Sequence, residues 1–232
     1  MNFDLQPLEK LAITINYTKA PAVPTVHMGS RTTSYILRGV STPKTSFAKA
    51  FREDHWFNIS AIDVYDLTAK SIAIIGNSIT DGKNSTNNAQ NRWPDILSEV
   101  LQKKQGVTDV GVLNLGIGNN RVTMKGGFGF MARERFNRDV LSQRGVRAVV
   151  IFEGVNDIGA AAFGQSETVA NDLIYAYEEM IRKAKERNLR VYLGTITPFK
   201  GAGYYSAFHE AARQTVNQWI RSQREKVDGI LD

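Results

Sequence analysis

The sequence contains no cysteine. That absence excludes a disulfide framework, a thiolate zinc site and a thiol nucleophile, and it leaves the compartment open. Long hydrophobic runs are also missing. None reaches the ~18 apolar residues of a membrane helix, and residues 1–10 mix charged and apolar side chains without the apolar centre of a signal peptide. Histidine is scarce, with three in the chain. No His/Asp/Glu cluster has metal-ligand spacing, so no metal is expected. Lys and Arg total 29 against 23 Asp and Glu, a net +6. The excess is spread along the chain as a solvated surface, without the basic run of a nucleic-acid footprint. There is no fixed-period repeat and no low-complexity tract. What is present is an ordinary globular composition, 42% hydrophobic and 22% charged over 232 residues. That suffices for one sizeable core with a small second unit.

The texture changes near residue 70. Before it, Leu11-Ala12-Ile13-Thr14-Ile15-Asn16-Tyr17 alternates apolar and polar like a half-buried strand, and residues 31–37 read as another, with Pro21 and Pro24 between them. Two or three strands make a poor core alone, so residues 1–66 are expected to form a β-rich segment that packs on the rest. Residues 67–232 are expected to form an α/β domain. Ser71-Ile72-Ala73-Ile74-Ile75 is a continuous apolar run, as in a strand buried on both faces. Further strands are predicted at 110–115, 148–152, 189–196 and from 229. Helices are predicted at 92–104, 133–142, from Ser166 and from Ser206, the last two serines as N-caps. Strand–helix alternation of this kind gives a three-layer α/β/α sandwich around a parallel sheet of about five strands. Ligands in such sheets bind beyond the carboxyl ends of the strands, which directs attention to the loops that follow them.

The first loop, Gly76-Asn77-Ser78-Ile79-Thr80-Asp81-Gly82-Lys83, presents a hydroxyl two residues past a buried strand. It is not a P-loop, because five residues separate Gly76 from Gly82 and Asn84 follows Lys83. It is not the elbow of the α/β-hydrolases, because Thr80 stands where that turn has glycine. The second loop, Gly116-Ile117-Gly118-Asn119-Asn120-Arg121, has Arg121 where a dinucleotide fingerprint has glycine. Its Gly and Asn residues tolerate positive φ and can present bare N–H groups. The third loop, Glu153-Gly154-Val155-Asn156-Asp157, carries a carboxamide, Asn156, four residues past Phe152. Singly, these read equally as an N-cap serine, a tight turn and a turn-forming Asn-Asp pair. Together they offer what acyl transfer to serine needs: a nucleophile, and donors where an oxyanion forms.

The three blocks resemble those of the SGNH hydrolases, the GDSL esterases and lipases. The first is similar to that family's Gly-Asp-Ser-Ile-Thr-Asp-Gly. The likeness runs from about residue 54 to 232 and takes in Arg92-Trp93-Pro94, Arg135-Phe136-Asn137-Arg138-Asp139 and Thr197-Pro198-Phe199. It implies a flavodoxin-like fold and cofactor-free hydrolysis of carboxylic esters. Carried over by position, Ser78 is the nucleophile. The Ser78 N–H, the Asn119 N–H and the Asn156 side chain are the oxyanion donors. Asn77, Gly118, Phe128, Phe199 and Tyr204 are the candidate substrate-binding residues. The implied substrate is a small-molecule or carbohydrate ester.

Three departures qualify the likeness. Asn77 replaces the family's Asp, and Asn119 stands where the family usually has Gly. The family's closing Asp-x-x-His, which supplies the base and its orienting carboxylate, occurs nowhere in the sequence. His27 and His55 precede the α/β portion and read as surface or packing residues. His209, in the first turn of a helix, is the one substitute candidate for the base. The alternative function is therefore a catalytically impaired SGNH-fold binding protein, or a fragment to which another segment or chain supplies the base. A homo-oligomer or complementing chain is the corresponding partner expectation. The Gly/aromatic loops 126–130 and 201–205 are left with two readings, a substrate platform or lid and a cap on the core.

Overall fold

The structure, a computed structural model, describes residues 5–39 and 46–232. Four short strands come first: β1 (Val26–His27), β2 (Ser34–Ile36), β3 (Phe51–Glu53) and β4 (Trp56–Phe57). They form two antiparallel ladders, β1 with β4 and β2 with β3. The strand expected over residues 11–17 does not form. That stretch joins no ladder among the described residues, and Leu11, Ile13, Ile15 and Tyr17 are 41–46% exposed. Alternation makes a strand only where a neighbouring ladder exists to receive it, and none among the described residues does. Of the strand expected at 31–37, only β2 is paired.

The rest is one sheet with helices: β5 (Lys70–Gly76), α1 (Ser78–Asp81), α2 (Trp93–Lys103), β6 (Val110–Gly116), α3 (Ala132–Phe136), β7 (Val146–Phe152), α4 (Val155–Ala160), α5 (Ser166–Glu186), β8 (Arg190–Gly194), α6 (Ala207–Ser222) and β9 (Gly229–Leu231). The helix expected at 133–142 is split. After Phe136 it widens into a π-helical turn, Asn137–Leu141. The Ser206 hydroxyl caps α6 by accepting the His209 N–H at 3.1 Å, whereas α5 starts at Ser166 with Gln165 in the cap position and no side-chain cap bond.

All five strands of the sheet run parallel, in the order β6-β5-β7-β8-β9. The central strands are the continuous apolar ones, and Ala73, Ile74, Ile75 and Val149 have no exposed surface. Helix α5 covers one face with Val169, Leu173, Ala176, Met180 and Ala184, all buried at 3- and 4-residue spacing. This is the flavodoxin-like layering. Its order reverses between β5 and β7, because the chain first crosses to β6 on one side and then to β7 on the other. That reversal opens a crevice at the carboxyl ends of β5 and β7. Gly76 is level with Gly116 and with Phe152 in the register, so the first three loops leave the sheet at one height.

Candidate active site

Ser78 opens α1 directly after β5. Asn77 is the N-cap, its side-chain oxygen accepting the Ile79 N–H at 3.0 Å, and Gly82 ends the helix at φ +105°. Of the two uncapped polar side chains available, the buried Asn77 therefore does the capping, and the half-buried Ser78 keeps a hydroxyl with no hydrogen-bond partner among the described residues. The turn is tight. A Cβ on Gly76 would overlap the Thr80 side chain, and one on Gly116 would overlap the Asp81 backbone. Glycine at both strand ends lets α1 lie flat on the sheet's edge.

Hydrogen bonds fix the second loop at Ile117, Gly118 and Asn120. Ile117 N–H donates to Gly76 O (3.0 Å), Asn120 N–H to Ile117 O (3.1 Å) and Gly118 N–H to the Asp81 carboxylate (2.9 Å). Asn119 adopts the left-handed conformation, φ +54°, and its N–H has no partner among the described residues. Gly118 is thus bound to the protein and not free to donate to a ligand. Asn120 is buried. Its amide donates to the carbonyls of Phe128 (2.7 Å) and Phe130 (2.9 Å) and its oxygen accepts from Arg135 Nε (3.0 Å). These bonds tether the loop 126–130, and Phe128 is 60% exposed, so the ring does not cap the core.

The third loop locks onto the second. Asn156, on α4, donates one amide N–H to Asn120 O at 2.8 Å. A carboxamide has two N–H groups, so the other is left over at the crevice. The adjacent Asp157 is buried and accepts the N–H groups of Val122 (2.8 Å), Thr123 (2.8 Å) and Met124 (3.1 Å). Burial raises its pKa, and these donors oppose the rise. It clamps the chain that follows Asn119 rather than merely forming a turn with Asn156.

Two charged groups lie beneath. Arg135, 2% exposed, donates to Leu115 O (2.9 Å) and Gly76 O (3.3 Å) as well as to Asn120, tying the ends of β5 and β6 together. Glu153, with a side chain 0% exposed, stands 3.9 Å from Arg135. Burial pushes its pKa up to about 8, helped by the neighbouring Asp157 and opposed by Arg135 and Asn77.

The histidines do not meet the serine hydroxyl. His209 is buried, with Nδ1 2.6 Å from Tyr204 O and Nε2 3.0 Å from Ala161 O. Both ring nitrogens face carbonyl oxygens, so His209 joins the end of α4 to the loop before α6 and neither nitrogen is directed at Ser78. Phe199 is buried against Tyr204 (5.4 Å between ring centres) and belongs to the core, while Tyr204, 41% exposed, lies over Gly159 of α4. His27 is more than a surface residue. Its Nε2 is 2.6 Å from Asp81, on the helix that bears Ser78. His55 lines a polar cleft of about 510 Å³ with Arg31, Arg52, Asp54 and Asn87, and its Nδ1 is buried without a partner among the described residues.

The model of a family described as GDSL-like Lipase/Acylhydrolase matches residues 74–231. No curated protein matches the chain. Among solved structures, a protein of the G-D-S-L family from Desulfitobacterium hafniense DCB-2 superposes with a TM-score of 0.52 at 20% identity, over 70% of this chain and 75% of that one. AlinE4, described as an SGNH-hydrolase family esterase, gives 0.51 at 15% identity, over 72% and 77%. The acetyl xylan esterase AlAXEase gives 0.51 at 23% identity, over 69% and 75%.

Proposed function

The chain belongs to the GDSL-like lipase/acylhydrolase family, whose members hydrolyse ester bonds, and we propose that it does so through an acyl-enzyme on Ser78. The Ser78 oxygen attacks the acyl carbon and the carbonyl oxygen becomes the oxyanion. The alcohol leaves with a proton, and water then cleaves the acyl–serine bond and restores the hydroxyl. The Ser78 N–H, the Asn119 N–H and the second Asn156 N–H stabilise the oxyanion. The observation that carries this reading is the Asn156–Asn120 hydrogen bond of 2.8 Å. It fixes the carboxamide against the loop of Asn119 and orients its remaining N–H, so the donors are arranged before substrate arrives.

The substrate class is a small carboxylic ester, of a simple alcohol or of a sugar hydroxyl. Turnover of p-nitrophenyl acetate by the wild type and by Ser78→Ala tests the nucleophile. The expected result is a loss to the level of the uncatalysed reaction, and equal rates would eliminate Ser78.

A second reading is favoured by the position of His209. With that ring held by two carbonyls, the base comes from another segment or chain, or the protein binds esters with little turnover. A serine hydrolase without its base keeps only ~10³–10⁴-fold acceleration over water. Wild-type turnover in that range, unchanged in His209→Ala, would select this second reading.

A further inference from the structure

We propose that His27, on the β-rich segment outside the sheet, is a positioning residue for the oxyanion loop and acts through Asp81. The kinetic part of this inference rests on the ester-hydrolase reading above. The geometric part does not.

Asp81 closes α1, three residues after Ser78, and is 5% exposed. Its two carboxylate oxygens hold two different parts of the molecule. Oδ2 accepts the Gly118 N–H at 2.9 Å, and Oδ1 lies 2.6 Å from His27 Nε2. Gly118 immediately precedes Asn119. With the Gly118 N–H drawn onto Asp81, the next peptide N–H along the loop, that of Asn119, has no partner among the described residues.

The β-rich segment is built to reach this carboxylate. A Cβ at Gly29 would fall within the Asp81 carboxylate, so only glycine lets the chain pass so close. Arg92 joins the same two parts by a second route, donating to Asp81 O from Nε (3.1 Å) and to Ser30 O from Nη2. The His27 ring is held edge-on to Trp56, with 5.0 Å between centres. A buried carboxylate that loses one of two donors either rotates toward a new one or draws in water. Either change moves the acceptor that fixes Gly118, and with it the N–H of Asn119.

Four proteins test this: wild type, His27→Gln, His27→Asn and His27→Phe. The Gln amide nitrogen takes the place of Nε2 and keeps the donor. The Asn amide is too short to reach, and Phe keeps the contact with Trp56 without a donor. Two readouts are needed: kcat and KM for p-nitrophenyl acetate, and hydrogen–deuterium exchange at the Gly118 amide. The expected result is that His27→Asn and His27→Phe lower kcat by about 10- to 100-fold, leave KM within about twofold, and accelerate Gly118 exchange, while His27→Gln restores both. If Gln behaves like Asn and Phe, or if Gly118 exchange is the same in all four proteins, the proposal is overturned. Absent turnover in the wild type would refute the esterase reading alone, because the exchange comparison still decides whether His27 holds the loop. If His27→Phe does not fold, the Gln and Asn pair carries the same test.

Discussion

At the scale of single residues, the site depends on polar groups whose partners lie far away in sequence. Asn156 bonds to a carbonyl 36 positions earlier, Asp157 to amides 33 to 35 positions earlier, and Asp81 to a histidine 54 positions earlier. Removing the carboxamide with Asn156→Ala is expected to lower kcat for p-nitrophenyl acetate by about 10²–10³-fold, the usual cost of losing one oxyanion donor. An unchanged kcat would take Asn156 out of the site. Glu153 gives a prediction in pH. Its pKa rises from the ordinary 4.5 to about 8 in the folded protein. Between those values the folded state binds more protons than the unfolded state, so this group's contribution makes stability fall as pH rises from about 4.5 to 8. Thermal melting from pH 5 to 8 should therefore decline in the wild type and decline less in Glu153→Gln. Identical slopes would show that another group is responsible. The three loops were legible in the sequence because each follows an apolar run. The roles of Arg135, Asp157 and His27 were not, because a charge says nothing of its partner until the chain is folded. His209 shows the same limit: its place in the first turn of α6 was readable, but the two carbonyls that hold it were not.

At the scale of elements, the site is a matter of how strand ends meet short helices. At Gly116 the obstacle is backbone, since any side chain there would enter the main chain of α1. Gly116→Ala is expected to destabilise the protein by about 1–3 kcal/mol, the range for overpacking, and to lower kcat because the strain falls on the helix of Ser78. A melting temperature equal to that of the wild type would show that α1 can move aside freely. The strands of the sheet were readable from their apolar runs, and α5 and α6 from their periodicity. Residues 11–17 were not, because their alternation has no ladder to join among the described residues. The split of 133–142 into an α-helix and a π-helical turn left no mark in composition. It lies where Arg135 reaches back to both strand ends.

At the scale of the whole molecule, the β-rich segment and the sheet meet at the nucleophile's helix. The contacts include His27 on Asp81, Ser30 on Arg92, Thr32 on Gln90, Asp54 on Asn87, and Thr33 and Arg31 on Asn88, which accepts the Thr33 N–H at 2.8 Å and donates its own backbone N–H to Arg31 O at 2.8 Å. We propose residues 1–66 and 67–232 as the two structural units, joined there. Arg92 is buried and bridges them, so Arg92→Met should speed limited proteolysis within the β-rich segment while leaving cleavage in 67–232 unchanged; equal acceleration in both would mean that they unfold as one. The central claim is that one crevice holds Ser78, the peptide of Asn119 and the amide of Asn156 and makes an acyl-enzyme there. The most direct measurement is peptide mapping by mass spectrometry after acid quenching of the protein mixed with p-nitrophenyl acetate. The account predicts one acetyl group, on the peptide carrying Ser78, reduced in Asn156→Ala and absent from Ser78→Ala. Acetylation confined to lysines or to another serine, with Ser78 unmodified, would contradict it.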